Sequence, residues 1–145
     1  MSDYMRVYLL RLCLGILCIV CVAAQIGPIL NENIKLLKFE PLAYPIVAKV
    51  KRVEGTVIVR VELTKSGEVS MAAAISGPKE LLSDAISNAK KWQFQPNEGM
   101  AAVIVYRFKR LKGLCELPCS SQFLVEPPNV AIITVGEPVV SHGVH

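Results

Sequence analysis

Between Thr56 and Thr64 every second residue is a branched aliphatic: Val57, Val59, Val61 and Leu63 fall on one face, while Thr56, Ile58, Arg60 and Glu62 fall on the other. A helix would scatter the four aliphatics around its circumference, whereas a strand lines them up on one core-facing side. This segment is therefore read as a half-buried strand. Lys65-Ser66-Gly67 follows as a three-residue connection whose glycine can take the left-handed conformation of a bulged hairpin. The return strand runs over residues 68–75, with Val69, Met71, Ala73 and Ile75 expected inward. Ser76-Gly77-Pro78 breaks it, and Pro78 suits a helix start. Leu82, Ala85, Ile86, Ala89 and Trp92 then recur at helical spacing, with Glu80 in the first turn and Lys90 and Lys91 in the last, before Pro96 and Gly99. Residues 101–109 (AAVIVYRFK) are rich in β-formers and give a third strand. Upstream, Pro45 opens a short helix with Ile46, Val47 and Val50 expected inward, ending before Gly55. The fold class is α+β: a β-β-α-β unit whose three-stranded antiparallel sheet, in the order 2-1-3, packs on one main helix. The third strand then lies on an open edge.

The N-terminus has a different character. No charged residue lies between Arg11 and Glu32, and Leu12–Val22 is an unbroken apolar run preceded by Arg6 and Arg11. Two readings stay open. A short h-region followed by Val22-Ala23-Ala24 fits a cleaved signal peptide, whereas extension to Leu30 approaches the ~20 residues of a membrane-spanning helix. The arginines orient the N-terminus toward the cytoplasm under either reading, which sends the remainder into the periplasm. The expected organisation is 1–30 signal peptide or apolar anchor helix, 31–38 connector, 39–112 folded domain and 113–145 extension.

Net charge is only +4 and the cations are scattered, which argues against nucleic acid as a partner. The only histidines, His142 and His145, lie in the tail, and no nucleophile-base pair or phosphate-cradling loop occurs. An enzyme, a cofactor and a metal site are accordingly not expected. Cys13, Cys18 and Cys21 serve as small apolar residues in the leader, while Cys115 and Cys119 are a candidate small-loop disulfide in an oxidising compartment. Residues 130–135 (VAIITV), between Pro127-Pro128 and Gly136-Glu137-Pro138, read as an extra strand able to pair with an exposed edge, its own or a partner's.

Tyr44-Pro45, Gly55-Thr56-Val57, Gly67 in the hairpin and Trp92-Gln93-Phe94-Gln95-Pro96 occur in an order and spacing that resemble the TonB C-terminal domain family over residues 39–112. From the residues alone, Tyr44, Pro45, Gly55, Gly67, Trp92, Phe94 and Pro96 are structural. The resemblance implies periplasmic recognition of a short extended peptide, the TonB box of an outer-membrane TonB-dependent receptor, in the service of transmembrane transport. Strand addition on an open edge is the physical mode, and the surface carried over is Val103, Ile104, Val105, Tyr106, Arg107 and Phe108. Two features depart from the family. The 13 residues from Asn31 to Ala43 are no Pro-rich spacer, and the apolar segment lacks the histidine that would couple it to inner-membrane motor proteins. The alternative is a structural envelope protein that self-associates, as a homodimer, through sheet edges without a motor.

Overall fold

Alternation does in space what it promises in sequence. In the computed structural model, which describes residues 34–98, 100–115 and 120–138, β2 spans Gly55–Leu63 and buries Val57, Val59, Val61 and Leu63. The elements in chain order are β1 (Leu36–Lys38), α1 (Ile46–Val50), β2, β3 (Val69–Ser76), α2 (Lys79–Ala89), β4 (Gln93–Phe94), β5 (Ala101–Cys115), β6 (Ser121–Glu126) and β7 (Val130–Pro138). The fold is α+β, with α2 packed across β2 and β3.

The main sheet has five strands in the order β3-β2-β5-β7-β6, beside a small pair of β1 with β4. It is mixed, because β7 runs parallel to β5 while the other pairings are antiparallel. This corrects the expectation of a three-stranded antiparallel sheet: the extension supplies two more strands. The reason is chemical, since β7 carries Ala131, Ile133 and Val135 on its inner face and has nowhere else to bury them. Beyond pairing with an exposed edge, the apolar 130–135 run extends the helix-covered core.

Three local expectations are also corrected. In β3, Ser70 and Ile75 are extra residues against β2, so the register steps from Leu63↔Val69 to Glu62↔Met71 and from Val59↔Ala74 to Ile58↔Ser76. A bulge shifts the parity of the alternation. Ala72 and Ala74 consequently face the core, and Met71 and Ile75 are exposed. In α1 it is Ala48 that is buried, leaving Ile46, Val47 and Val50 exposed, because five residues make too short a face to bury more. In α2 the buried set is Leu81, Ala85, Asn88 and Ala89 rather than one led by Leu82.

Gly67 shows why the hairpin needs glycine. Its φ is +86°, and a Cβ there would stand 2.0 Å from the Phe94 carbonyl oxygen. The close approach is used, since the Phe94 amide donates to the Gly67 carbonyl at 2.8 Å. Residues 1–33, 99, 116–119 and 139–145 lie outside the described residues, and with them the expected signal peptide or anchor, Gly99, Cys119 and any bond to Cys115, and both histidines. Among the described residues no helix is long and apolar enough to cross a membrane.

Candidate functional site

Three of the motif residues, Tyr44, Trp92 and Phe94, join one aromatic layer against the sheet. Trp92, on the turn after α2, packs at a tilt against Phe39 and Phe94 and edge-on against Tyr106, at centroid distances of 6.2, 6.4 and 6.0 Å. Tyr106 lies 6.4 Å from Phe108, and Tyr44 meets Phe108 edge-on at 5.5 Å. Aromatic pairs at such distances hold a layer together with defined orientation. Trp92, Phe94, Tyr106 and Phe108 are fully or almost fully buried, as befits structural residues.

A polar hub inside this layer was not foreseen. Asn88 accepts from the Trp92 indole nitrogen at 2.9 Å and from the Tyr106 hydroxyl at 3.0 Å through its Oδ1, and donates through Nδ2 to the Glu40 carbonyl at 2.8 Å. Its buried donors and acceptor are thus satisfied, and helix, strand and N-terminal segment are tied at one residue. The signal was present in sequence as an asparagine within the apolar stripe, four residues before the tryptophan. Burial holds the Tyr106 phenol well above its ordinary value, so it acts as a neutral donor.

Tyr44 and Pro45 fix the chain at the far end of β5. The Tyr44 hydroxyl donates to the Val53 carbonyl at 2.7 Å, and its amide donates to Ser121 Oγ at 2.9 Å. Burial, then the nearby Glu54 carboxylate, raise its pKa, against a smaller opposing effect of Arg110. Arg110 itself pairs with Glu137 of β7, while its amide donates to Glu54 at 3.2 Å and its guanidinium to the Arg52 carbonyl at 3.3 Å. Gly55 opens β2 at φ +148°, and its α-carbon faces the ring of Pro78, which precedes α2. Pro96 leaves β4, where the Gln95 amide donates to the Lys35 carbonyl. None of these contacts creates an acid, base or nucleophile aimed at a cavity.

The strand carried over as the recognition surface is β5. Ile104, Tyr106 and Phe108 point into the core, and Val103, Val105 and Arg107 lie on the helix-free face. On one side β5 pairs with β2 from Ala101↔Glu62 to Phe108↔Gly55. On the other it pairs with β7, from Val105↔Val130 onward through Phe108↔Ile133. The open edge expected at Val103–Phe108 is therefore corrected: β5 is an interior strand, closed by the chain's own extension. At the root of β7, the Asn129 carbonyl accepts from the Val105 amide at 3.0 Å. The Asn129 side chain is 1% exposed, with neither amide nitrogen nor oxygen hydrogen-bonded. Among the described residues no three His, Cys, Asp or Glu side chains come together in a metal-binding group.

The fold is that of a small α+β domain built on a mixed five-stranded sheet. Its family follows from sequence: residues 40–109 match the C-terminal domain of the Gram-negative bacterial TonB protein, and the chain carries a domain of that family. The solution NMR structure of the Pseudomonas aeruginosa TonB CTD is similar at 26% identity, with a TM-score of 0.44, over 54% of this chain and 87% of that one. No curated protein matches the chain. The family is transport-associated, and its domains are periplasmic and interact with TonB-dependent receptors.

Proposed function

We propose that this chain is a TonB-like periplasmic protein that binds a short extended peptide of an envelope partner, such as a TonB-dependent receptor, by strand addition along Val103–Phe108 of β5. One observation carries the reading. Within the family-matched residues 40–109, β5 has β2 as its single strand neighbour, and its second neighbour, β7, comes from residues outside that match. The peptide takes the place of β7 when the β6–β7 hairpin yields.

Two features favour such an exchange. The β5–β7 pairing is parallel, the less stable kind per residue, and the unsatisfied Asn129 amide burdens the hairpin by about 1–3 kcal/mol. The leaving strand also describes its replacement. A peptide must refill the places of Ala131, Ile133 and Val135, so it carries small or aliphatic residues at alternate positions. Such a binder requires neither metal nor cofactor.

Titration of the isotopically labelled chain with a TonB-box-like peptide tests this. Shifts at Val103–Phe108 and throughout the β6–β7 hairpin, with loss of hydrogen-exchange protection in β7, are expected. Binding that leaves β7 protected would overturn the exchange.

A further inference from the structure

The five-stranded sheet has two edges, and they are built differently. β3 carries the extra residues Ser70 and Ile75, and the Ser70 hydroxyl folds back onto the Glu62 carbonyl at 3.0 Å. Bulges of this kind turn an edge away from incoming strands. β6 has none. All six of its residues stay in register with β7, from Ser121↔Val135 to Glu126↔Val130, and Ser121–Val125 contains neither charge nor proline. Among the described residues no strand covers its outer side. Leu124, 57% exposed, stands on the helix-free face opposite Ile132. A straight edge whose one charge, Glu126, sits at its last residue and which carries an exposed leucine is a pairing surface unless something blunts it.

We propose that β6 pairs antiparallel with β6 of a second copy of this chain about a two-fold axis through Leu124, merging two sheets into one with both helical layers on the same side. The side chains choose the occupant and the register. With Leu124 opposite its own copy, Gln122 faces Glu126 of the second chain and Phe123 faces Val125. Each pairing is complementary: aliphatic on aliphatic, amide donor on carboxylate, aromatic on β-branched. Moving the axis to Phe123 would set Gln122 against Leu124, and moving it to Val125 would set Leu124 against Glu126, so only one register matches like with like. Phe39, packed 5.7 Å from Phe123, extends the apolar wall that the incoming Val125 meets. An edge this short buries less than the ~1,200 Å² of a standard interface, which makes the dimer weak and reversible. The dimer goes beyond the peptide reading and is read without any peptide.

The full chain with its five native cysteines replaced by serine carries the test. Under mild oxidation, Leu124→Cys is expected to give disulfide-linked dimer several-fold above Met71→Cys on the bulged edge. In sedimentation equilibrium, Leu124→Lys and Leu124→Glu should each abolish the concentration-dependent rise in mass, and an equimolar mixture of the two should restore it. Because position 124 is solvent-facing, these variants keep the fold. Cross-linking at 124 no greater than at 71, association that survives Leu124→Lys, or a chain that captures heterologous peptides at β6 but not its own copy would overturn the proposal.

Discussion

Asn88 ties three parts of the molecule together through hydrogen bonds to Trp92, Tyr106 and the Glu40 carbonyl. Replacing it by leucine of similar size leaves an indole N–H and a phenol buried without partners. Asn88→Leu should therefore lower the unfolding free energy by about 2–4 kcal/mol, read from the denaturant midpoint at constant slope. Asn129 is the opposite case, a buried amide that already lacks partners. Asn129→Leu is expected to raise stability by about 1 kcal/mol and to weaken peptide binding by pinning the hairpin; tighter binding in this variant would contradict the exchange. Glu80 reports on pH. Its own backbone amide at the start of α2 lowers its pKa most, with partial desolvation opposing and Lys51, 3.4 Å away, adding to the lowering. A carboxylate whose pKa is depressed by folding stabilises above its unfolded value of 4.5 and loses that contribution as pH falls through the lower folded value. The difference in melting temperature between the natural chain and Glu80→Gln should thus be present at neutral pH and close in acid.

Elements differ in how well their residues announce them. β2 was legible because one period of two, with a clean break at each end, admits a single register. β3 is visible as a strand, and Val69 faces the core as its spacing implies, but the faces invert after Ser70, since nothing in Val69–Ser76 marks Ser70 as an extra residue until β2 lies beside it. In α1 the sequence pattern points Ile46, Val47 and Val50 inward, whereas five residues make too short a face to bury more than Ala48. For β7 the apolar run marks a strand but not its partner. Parallel insertion between β5 and β6 is set by where the rest of the sheet leaves an uncovered apolar edge, which is a property of the assembled sheet and not of the VAIITV run. The same reason explains why Val103–Phe108 was read as exposed: in isolation the β-β-α-β unit does end there, and only the extension closes it. Asn88 was missed because a single polar residue in a helical stripe is indistinguishable from a boundary position before its partners are known.

At the scale of the whole molecule, a TonB C-terminal domain is completed by a hairpin that seals its last strand and presents a new edge of its own. Under the proposed reading, sealing and recognition compete for β5, while β6 is left for association. The competition has a direct test in a chain with its native cysteines replaced by serine and carrying Lys109→Cys with Thr134→Cys. These residues are register partners on β5 and β7, outside the proposed contact stretch, and adjacent strands hold the Cα atoms at a distance a disulfide can span. Calorimetric titration with a TonB-box-like peptide should show no binding to the oxidised, locked chain and full binding once the same chain is reduced. Equal affinity in the two states would mean that the peptide adds elsewhere and that β7 never leaves β5.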